Sequence, residues 1–328
     1  MISRRDIHKL GLASLGALSF GPPSVLAQVV PGTARILVGF PAGAGSDTLA
    51  RRLADRLRGS FAANLIVENR TGAGGRIAVS ALKSATPDGM TMLLTPASTM
   101  VIFPHIYKDL GYQPTKDFIP AVTISSVKLG LMVGPGVQVS SLSDYLRWVK
   151  GDPKRAVYAT PGSGTMPHFL GSMLASATKI DLQHVPYKGA GPARMDLLAG
   201  QVPAYLGIIG NDAILDHRAG KIKILAIADP VRTDILPDVP TFAENGLKDA
   251  VAQEWLGLFL PARTPSSIVG ALSEQVRAAI KHEEMVKLLS SYAMTPGGDD
   301  PTTFAKRIET ELSQWGEVIK TTGFTPQD

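Results

Sequence analysis

A turn of small residues near the amino end of the chain has the composition of an anion-binding loop. Phe40 opens the segment FPAGAGSD, which follows the apolar run 36–38 and precedes leucines and alanines at helical spacing. Backbone N–H groups in a first helical turn have no intrahelical partner and carry the positive end of the helix dipole. They favour a carboxylate or a phosphate, so the pattern predicts an anion site between a strand and a helix.

The glycine spacing of this turn restricts the kind of anion. No phosphate-binding lysine follows the glycines, and the pattern differs from the dinucleotide-binding G-x-G-x-x-G. Asp47, at the end of the turn, can cap the following helix or contact an amine or hydroxyl of a ligand. Strand, turn and helix also follow one another in many domains without a ligand, so other segments must support the site.

Serine, histidine and aspartate residues elsewhere in the chain could form a nucleophilic triad. Ser163 is the candidate nucleophile, His168 or His184 the base, and Asp181 the group that orients the base. Such residues can come together from distant parts of a sequence. The segment around Ser163 lacks the G-x-S-x-G pattern of a nucleophile elbow, which argues against an enzyme. An exported acyl hydrolase is therefore the alternative, and a binding protein the main hypothesis.

Strands and helices alternate along the chain, which predicts an α/β fold. The predicted strands are residues 36–38, 65–67, 91–95, 129–133, 157–159, 182–185, 202–206 and 222–228. Glycine-rich turns and helices follow several of these strands, as is typical of a mainly parallel sheet flanked by helices. Ligands of such sheets bind at the carboxyl ends of the strands, where the glycine turns lie. Ser98, which follows the strand 91–95, is a further candidate contact at this edge.

Local start signals predict three further helices. Ser141 resembles the start of a capping box before the helix that carries Tyr145 and Val149. The pairs 264–265 and 300–301 each combine a capping residue with a proline at the first helical position.

Residues 1–27 have the features of an export signal. Arg4 and Arg5 precede an apolar run over residues 10–20, and small residues lie near Ala27, where a signal peptidase would cleave. The apolar run is shorter than the roughly 20 residues that a membrane-spanning helix needs. The paired arginines indicate twin-arginine export, although Ile7 occupies a position where that signal usually has phenylalanine. An ordinary amphipathic first helix is the alternative interpretation.

Composition limits the remaining possibilities. About 300 of the 328 residues remain after the leader, a length that predicts two domains with a cleft between them. The chain is 45% hydrophobic and 19% charged, as expected of a soluble globular protein. It has no cysteine, which excludes disulfides and thiolate metal sites. The formal charge of +5 falls to about +3 without the leader. The basic residues do not form a stripe interleaved with aromatic residues, so we expect no nucleic-acid partner. We expect a monomer without a cofactor or a metal.

Five ordered motifs carry a family resemblance. They are FPAGAGSDTLAR (40–51), VENRTGAGG (67–75), TPDG (86–89), HVPYKG (184–189) and PDVPT (237–241). Together they resemble the substrate-binding receptors of tripartite tricarboxylate transporters, the Bug family, over nearly the whole mature chain. Two alanines, Ala42 and Ala44, replace the second proline and the second glycine that the family usually has in the first turn. Thr71 and Met90 depart from the family pattern elsewhere.

The resemblance implies a type II-like periplasmic clamshell of two domains that closes on a carboxylated solute, which loop amides, hydroxyls and ordered water would hold. Each domain would be a mainly parallel sheet flanked by helices, with the ligand cleft between the domains. The implied boundaries are 28–125 plus 254–328 for the first domain and 126–253 for the second, after an export signal over 1–27. The implied partner is the membrane transporter that receives the solute, although the same chemistry would serve a receptor for a sensor kinase.

The resemblance also assigns ligand contacts, position by position. In the first turn they are Pro41, Ala42, Gly43, Ala44, Gly45, Ser46 and Asp47. In the second domain they are Thr160, Gly162, Ser163, Gly164, Thr165, His168, Tyr187, Lys188 and Gly189.

Several of these contacts have an alternative structural role. His168 could hold its neighbouring loop by a hydrogen bond, and Tyr187 could pack into the core instead of forming the cleft floor. Lys188 could face solvent or pin its loop. Serine and threonine hydroxyls can donate or accept as the ligand requires. The resulting hypothesis is capture of a small carboxylate between two helix N-termini, one from each domain.

Overall fold

Two mixed β-sheets flanked by helices form the part of the protein that the computed structural model describes, residues 30–322, 324 and 325, without the side chain of Pro31. The predicted export signal and its cleavage site after Ala27 lie outside the described residues. Among the described residues, no helix combines the length and the apolar character needed to cross a membrane.

Strands and helices alternate as the sequence predicts. The strands are β1 (Val30–Val38), β2 (Ala62–Asn69), β3 (Thr91–Pro96), β4 (Phe118–Val127), β5 (Leu129–Val133), β6 (Val157–Thr160), β7 (Gln183–Pro186), β8 (Ala204–Ile208), β9 (Lys223–Ile227), β10 (Glu254–Pro261) and β11 (Met294–Pro296). The helices are α1 (Gly45–Leu57), α2 (Arg76–Lys83), α3 (Phe103–Ile106), α4 (Pro114–Asp117), α5 (Leu142–Lys150), α6 (Met166–Thr178), α7 (Ala190–Leu198), α8 (Asn211–Arg218), α9 (Ser266–Ile280), α10 (Glu283–Ser291) and α11 (Pro301–Thr321).

The first sheet takes its strands from both ends of the described chain, in the order β11-β4-β10-β3-β1-β2. β1 pairs in parallel with β2 and β3, whereas β10 is antiparallel to β3 and β4. β11 is antiparallel to β4. β3 is buried over Met92–Thr95, as expected of a central strand covered on both faces.

The second sheet uses the middle of the chain, in the order β7-β6-β8-β5-β9. β6 is parallel to β7 and β8, and β5 is antiparallel to β8 and β9. The two sheets share one feature: in each, the first strand after the chain crosses from the other sheet is antiparallel to both of its neighbours. Those strands are β5 and β10.

The α/β class with helix-flanked sheets is confirmed, but the expected strand directions need a correction. Neither sheet is mainly parallel by its pairings, because the reversed strands β5 and β10 each lie between two antiparallel neighbours. Periodicity cannot reveal this reversal, since a strand is buried equally well in either direction. The crossings after β4 and before β10 lie near the domain boundaries at 125 and 254, which stay a prediction from the sequence.

The helices flank the sheets and bury apolar residues against them. α1 packs Leu49, Leu53 and Leu57 into the core of the first sheet, at the spacing the sequence predicts. A second cluster of buried residues is shared by both sheets and includes Leu131 of β5 and Trp315 of α11. The long helix α11 thus connects the hydrophobic cores of the two sheets.

Candidate functional site

A cavity of about 530 Å³ lies between the two sheets. Its walls come from both sheets and from the segments that follow their strands. The lining residues are Phe40, Ala44, Ser46, Gly74, Pro96, Ser98, Thr99, Phe103, Ile106, Tyr107, Val127, Leu129, Pro161, Ser163, Gly164, Thr165, Pro167, Ile208, Glu254, Leu256 and Met294. Among the described residues, three other depressions of about 490 to 640 Å³, beside Arg56, Trp315 and Gly111, contain no residue of the predicted site.

The structure brings part of the predicted site together at this cavity. Six predicted contacts line it: Ala44, Ser46, Ser98, Ser163, Gly164 and Thr165. The other predicted contacts do not line it: Pro41, Ala42, Gly43, Gly45, Asp47, Thr160, Gly162, His168, Tyr187, Lys188 and Gly189. Residues of both turns therefore face one cavity. Of the remaining predicted residues, Asp47 and Thr160 are buried, whereas Pro41, Ala42, Gly43 and Lys188 are exposed.

The first turn presents an open helix end to the cavity. α1 begins at Gly45, and the residue before it, Ala44, has extended backbone and no side chain that caps the helix. Among the described residues, no protein acceptor is found for the amides of Gly45, Ser46 and Asp47. These N–H groups are the unpartnered donors at which a helix dipole stabilises an anion.

Asp47 holds the turn together instead of lining the cavity. Its side chain is 3% exposed and accepts hydrogen bonds from the Gly43 amide at 2.9 Å and from Asn69 Nδ2 at 2.9 Å. Arg51 adds an ion pair at 2.9 Å. Burial raises the pKa of Asp47, but these partners outweigh burial and leave the pKa below its usual value. Asn69 also donates to the Phe40 carbonyl at 3.0 Å, so this network fixes both ends of the turn.

The second turn satisfies many of its own polar groups. Thr165 caps α6 by accepting from the His168 amide at 3.4 Å, and its hydroxyl donates to the Gly162 carbonyl at 2.8 Å. The Gly164 amide donates to His168 Nδ1 at 3.2 Å. Among the described residues, no protein partner is found for the amide or the hydroxyl of Ser163. The second turn therefore offers a ligand fewer open donors than the first.

Two stacked histidines contact residues of the second turn. The rings of His168 and His184 are 4.0 Å apart between centroids and nearly parallel, and His184 Nε2 lies 2.6 Å from Thr160 Oγ1. Burial lowers the pKa of both imidazoles, and the neighbouring His168 contributes to lowering that of His184 to about 4. Both rings are thus neutral near pH 7 and bring no positive charge to the cavity.

The geometry gives the hydrolase alternative no support. His184 is paired with Thr160, and His168 Nδ1 accepts from the Gly164 amide. Neither bond involves Ser163, and Asp181 is exposed. A triad would need a histidine nitrogen directed at the serine hydroxyl.

The loop Tyr187 to Gly189 supports the second turn from its other side. The Tyr187 amide donates to the Thr160 carbonyl at 3.0 Å, and the Gly189 amide donates to the Pro161 carbonyl at 2.8 Å. The Tyr187 hydroxyl donates to Asp196 at 2.6 Å, a bond that raises the pKa of Tyr187 to about 12. The Lys188 side chain is exposed.

Glu254 is a cavity residue that the sequence does not reveal. At the start of β10, it accepts from the Ser98 amide at 3.0 Å and from the Ser98 hydroxyl at 2.6 Å. Burial raises the pKa of Glu254 to about 7, the bonds from Ser98 oppose this shift, and the carboxylate of Glu311 adds to it. Only the pairing of β10 beside β3 places this glutamate against the cavity, so no local pattern could have identified it.

Most of the lining that the sequence does not predict is apolar. Phe40, Phe103 and Tyr107 contribute aromatic rings, and Ile208 and Leu256 contribute aliphatic side chains. No lysine or arginine of the described residues lines the cavity. Within residues 30–322 and 324–325, no three histidine, aspartate or glutamate residues form a group that could hold a metal ion.

Comparisons with known proteins agree with the motifs. The family profile described as "Tripartite tricarboxylate transporter family receptor" matches residues 49–324. Protein BugT of Bordetella pertussis is 31% identical over 291 residues, which are 88% of this chain and 89% of BugT. The periplasmic binding protein BugD is 28% identical with a TM-score of 0.73, covering 90% of this chain and 99% of BugD. R. palustris Rpa4515, solved with adipate, is 28% identical with a TM-score of 0.76 at the same coverages.

The match extends over both sheets and along nearly the whole described chain, as the five motifs predict. The fold of solved periplasmic relatives agrees with the two-sheet architecture. This chain therefore belongs to the receptor family of the tripartite tricarboxylate transporters, the Bug family, whose members are periplasmic solute-binding proteins.

Proposed function

We propose that this protein is an extracytoplasmic receptor that binds a small carboxylate in the cavity and delivers it to a membrane transporter of the tripartite tricarboxylate type. The observation that carries the proposal is the open start of α1. The amides of Gly45, Ser46 and Asp47, which have no protein acceptor in the part of the chain that the structure describes, lie at the N-terminus of α1, where Ala44 and Ser46 line the cavity. We infer that they bind the ligand carboxylate.

Several weak contacts have to act together for useful affinity. One helix N-terminus contributes about 0.3 to 1 kcal/mol toward an exposed anion, whereas micromolar binding needs roughly 8 kcal/mol. The cavity adds the Ser163 hydroxyl and amide from the opposite side, together with apolar surface. Closure of the two domains around the ligand brings these groups to one solute.

The family supports the ligand class and the cellular compartment. A relative of the same fold was solved with a dicarboxylate, adipate. We infer export to the periplasm, through the signal over residues 1–27 and by the twin-arginine route. The receptor acts as a monomer, carries no cofactor and catalyses no reaction.

A thermal-shift screen over monocarboxylates, dicarboxylates and tricarboxylates tests the proposal. A ligand present at a hundredfold excess over its Kd stabilises the folded state by about 2.7 kcal/mol. We expect at least one carboxylate to raise the melting temperature in a concentration-dependent way, while its amide analogue does not. Equal shifts by the acid and the amide would contradict carboxylate recognition.

Ester hydrolysis is the matched test for catalysis. We expect no turnover of chromogenic esters above that of the Ser163→Ala variant. Turnover that this substitution abolishes would contradict the receptor proposal and favour the hydrolase.

A further inference from the structure

The cavity has one apolar and one acidic region besides the open helix end, and this combination points to a narrower ligand class. Resting on the proposed receptor function, we propose that the solute is a monocarboxylate with an apolar body, and that Glu254 disfavours ligands carrying a second carboxylate.

The walls of the cavity match an apolar body. Phe40, Phe103 and Tyr107 form an aromatic surface on the side of the first sheet, and Leu129 and Ile208 face them from the second sheet. Ile208 is 41% exposed, which is high for a large apolar side chain in a strand and shows that it lacks full cover. Burial of an alkyl or aryl group against such walls is favourable in proportion to the apolar area removed from water.

Sheet order fixes where Glu254 lies relative to the open helix end. β3 separates β10 from β1 in the sheet, and the start of β10 lies at the same edge as the ends of β3 and β1. Neighbouring strands are about 4.8 Å apart, so Glu254 lies roughly 10 Å along this edge from the end of β1. A ligand anchored at α1 and extending along the edge passes Ser98 and reaches Glu254.

Ser98 cannot stabilise a ligand carboxylate beside the negative charge of Glu254. Both its amide and its hydroxyl donate to Glu254, at 3.0 and 2.6 Å. The predicted contact between Ser98 and a ligand carboxylate would therefore require breaking these bonds. The structure instead uses Ser98 to hold the glutamate against the cavity.

The cations near Glu254 are occupied by other acids. On α11, Arg307 binds Glu311 at 2.7 Å and Asp299 at 3.2 Å, and where the chain crosses to the second sheet Lys128 binds Asp229 at 3.1 Å.

A third cation lies on α2, which packs beside β10. Arg76 stacks on the ring of Tyr107, 3.9 Å from its centroid, and donates to the Ala73 carbonyl at 3.0 Å. It does not line the cavity. A second ligand carboxylate at this end would therefore meet an acid without a lining cation to balance it, an arrangement that like-charge repulsion disfavours.

Matched pairs of acids test the inference by isothermal titration calorimetry at pH 8. The pairs are hexanoate against adipate and benzoate against terephthalate, which differ only by the second carboxylate. We expect the monoacid of the better-binding pair to bind at least about tenfold more tightly than its diacid, equivalent to about 1.4 kcal/mol. Glu254→Gln keeps the size of the side chain and removes the charge. Its amide oxygen can still accept from the Ser98 amide, and its NH2 group can donate to the Ser98 hydroxyl. This variant should bring the two affinities within about threefold.

Two controls separate charge from unfolding. Glu309→Gln makes the same change at an exposed position of α11 and should leave the ratio unchanged. Thermal melts verify that both variants fold. Lowering the pH from 8 to 6 should narrow the ratio for the wild type and not for Glu254→Gln, since the pKa of Glu254 is about 7.

The outcomes distinguish this inference from the receptor proposal. Diacids that bind the wild type as tightly as their monoacids, or a ratio that Glu254→Gln leaves unchanged, would overturn the inference while the receptor proposal stands. Absence of binding by every acid of both pairs would count against the receptor proposal, and the inference would fall with it.

Discussion

At the residue scale, two half-buried histidines make folding stability depend on pH. His184 stacks on His168 and lies within hydrogen-bonding distance of Thr160, so protonation would place charge in a partly desolvated stack. The pKa of His184 is lowered from its usual 6.5 to about 4 in the folded protein. The unfolded chain therefore takes up a proton first as the pH falls. This contribution to stability is complete above about pH 6.5 and is lost progressively as the pH falls toward 4.

Replacing His184 should flatten this dependence. We expect the melting temperature of His184→Gln to fall less steeply than that of the wild type between pH 6.5 and 4, because glutamine does not titrate in this range. Circular dichroism melts at half-unit pH steps measure the slope. A wild-type slope in His184→Gln would contradict the role of His184 in this pH dependence.

Asp47 is expected to act through the shape of the first turn. Asp47→Ala removes the acceptor for the Gly43 amide, Arg51 and Asn69, and should lower the free energy of unfolding by about 2 kcal/mol. It should also weaken ligand binding, because the turn that carries the open amides loses its brace. Urea unfolding and calorimetric titration measure the two effects.

Asp55→Ala on the same helix is the control for this prediction. Asp55 makes an exposed pair with Arg58 at 3.2 Å, a type of contact worth less than about 1 kcal/mol. Its removal should change stability little and leave affinity unchanged. Equal effects of the two substitutions would rule out a special role for Asp47.

The residues that the sequence predicts best are those whose role is set locally. Ala44 and Ser46 line the cavity because a turn between a strand and a helix has to lie at the sheet edge. Glu254 and Phe103 depend on which distant segments become neighbours, which single-sequence patterns do not contain. The predicted contacts Thr160 and His168 lie one layer behind the cavity, where they hold the turn.

At the element scale, local start signals are reliable and strand partners are not. Ser141 caps α5 and Asp300 caps α11, as their sequence patterns predict. The predicted cap at Thr264 is shifted, because Pro265 is the residue before α9. The sequence prediction omits the strands β4, β10 and β11. β11 has three residues, which are ordered by pairing with β4 rather than by their own pattern.

The second turn faces the first sheet across the cavity, and a substitution at one glycine tests how closely the two lie. Gly164 has a φ of +73°, and an added Cβ would lie 3.0 Å from Ile106 Cδ1. Gly200 has nearly the same φ, +72°, with no atom within 4 Å of such a Cβ. Alanine at either position costs about 1 kcal/mol in backbone strain. Only Gly164→Ala also presses against the opposite side of the cavity.

We therefore expect the two alanine variants to lose similar stability but to differ in binding. Gly164→Ala should weaken ligand binding several-fold, whereas Gly200→Ala should retain wild-type affinity. Chemical unfolding and calorimetric titration separate the two quantities. Unchanged affinity in Gly164→Ala would show that the second turn does not approach the ligand.

At the scale of the whole molecule, one side chain links the parts built on the two sheets. Asn211, at the start of α8, donates to the carbonyl of Ser290 at 3.4 Å and to that of Ser291, at the end of α10. These bonds join the second sheet to the first away from the crossings of the chain. Because these bonds hold the two parts together, we expect them to favour closure around a ligand.

Asn211→Ala should weaken binding without altering either part of the molecule. Loss of hydrogen bonds worth about 0.5 to 1.5 kcal/mol corresponds to roughly a two- to tenfold lower affinity. Small-angle scattering should show a smaller ligand-induced decrease in the radius of gyration than in the wild type. Asp212→Ala, which removes only a pair with Arg194 within the second part, is the control. Wild-type affinity and compaction in Asn211→Ala would contradict a role in closure.

The sequence predicts more of the overall architecture than of the identity of the ligand. Alternating elements predict the α/β class, and the family motifs imply two domains closing on a carboxylate. Tyr107, Glu254 and Met294, which we propose help to select the ligand, meet at one cavity only after the chain has crossed between the sheets twice. Spacing along the sequence does not contain that information.

A crystal structure with the most strongly stabilising monocarboxylate tests the central claim most directly. We predict carboxylate oxygens about 2.7–3.2 Å from at least two of the amides of Gly45, Ser46 and Asp47, with the apolar body in the cavity and Ser163 facing it. A carboxylate bound outside this cavity, or held there by side chains while those three amides contact only water, would contradict the account.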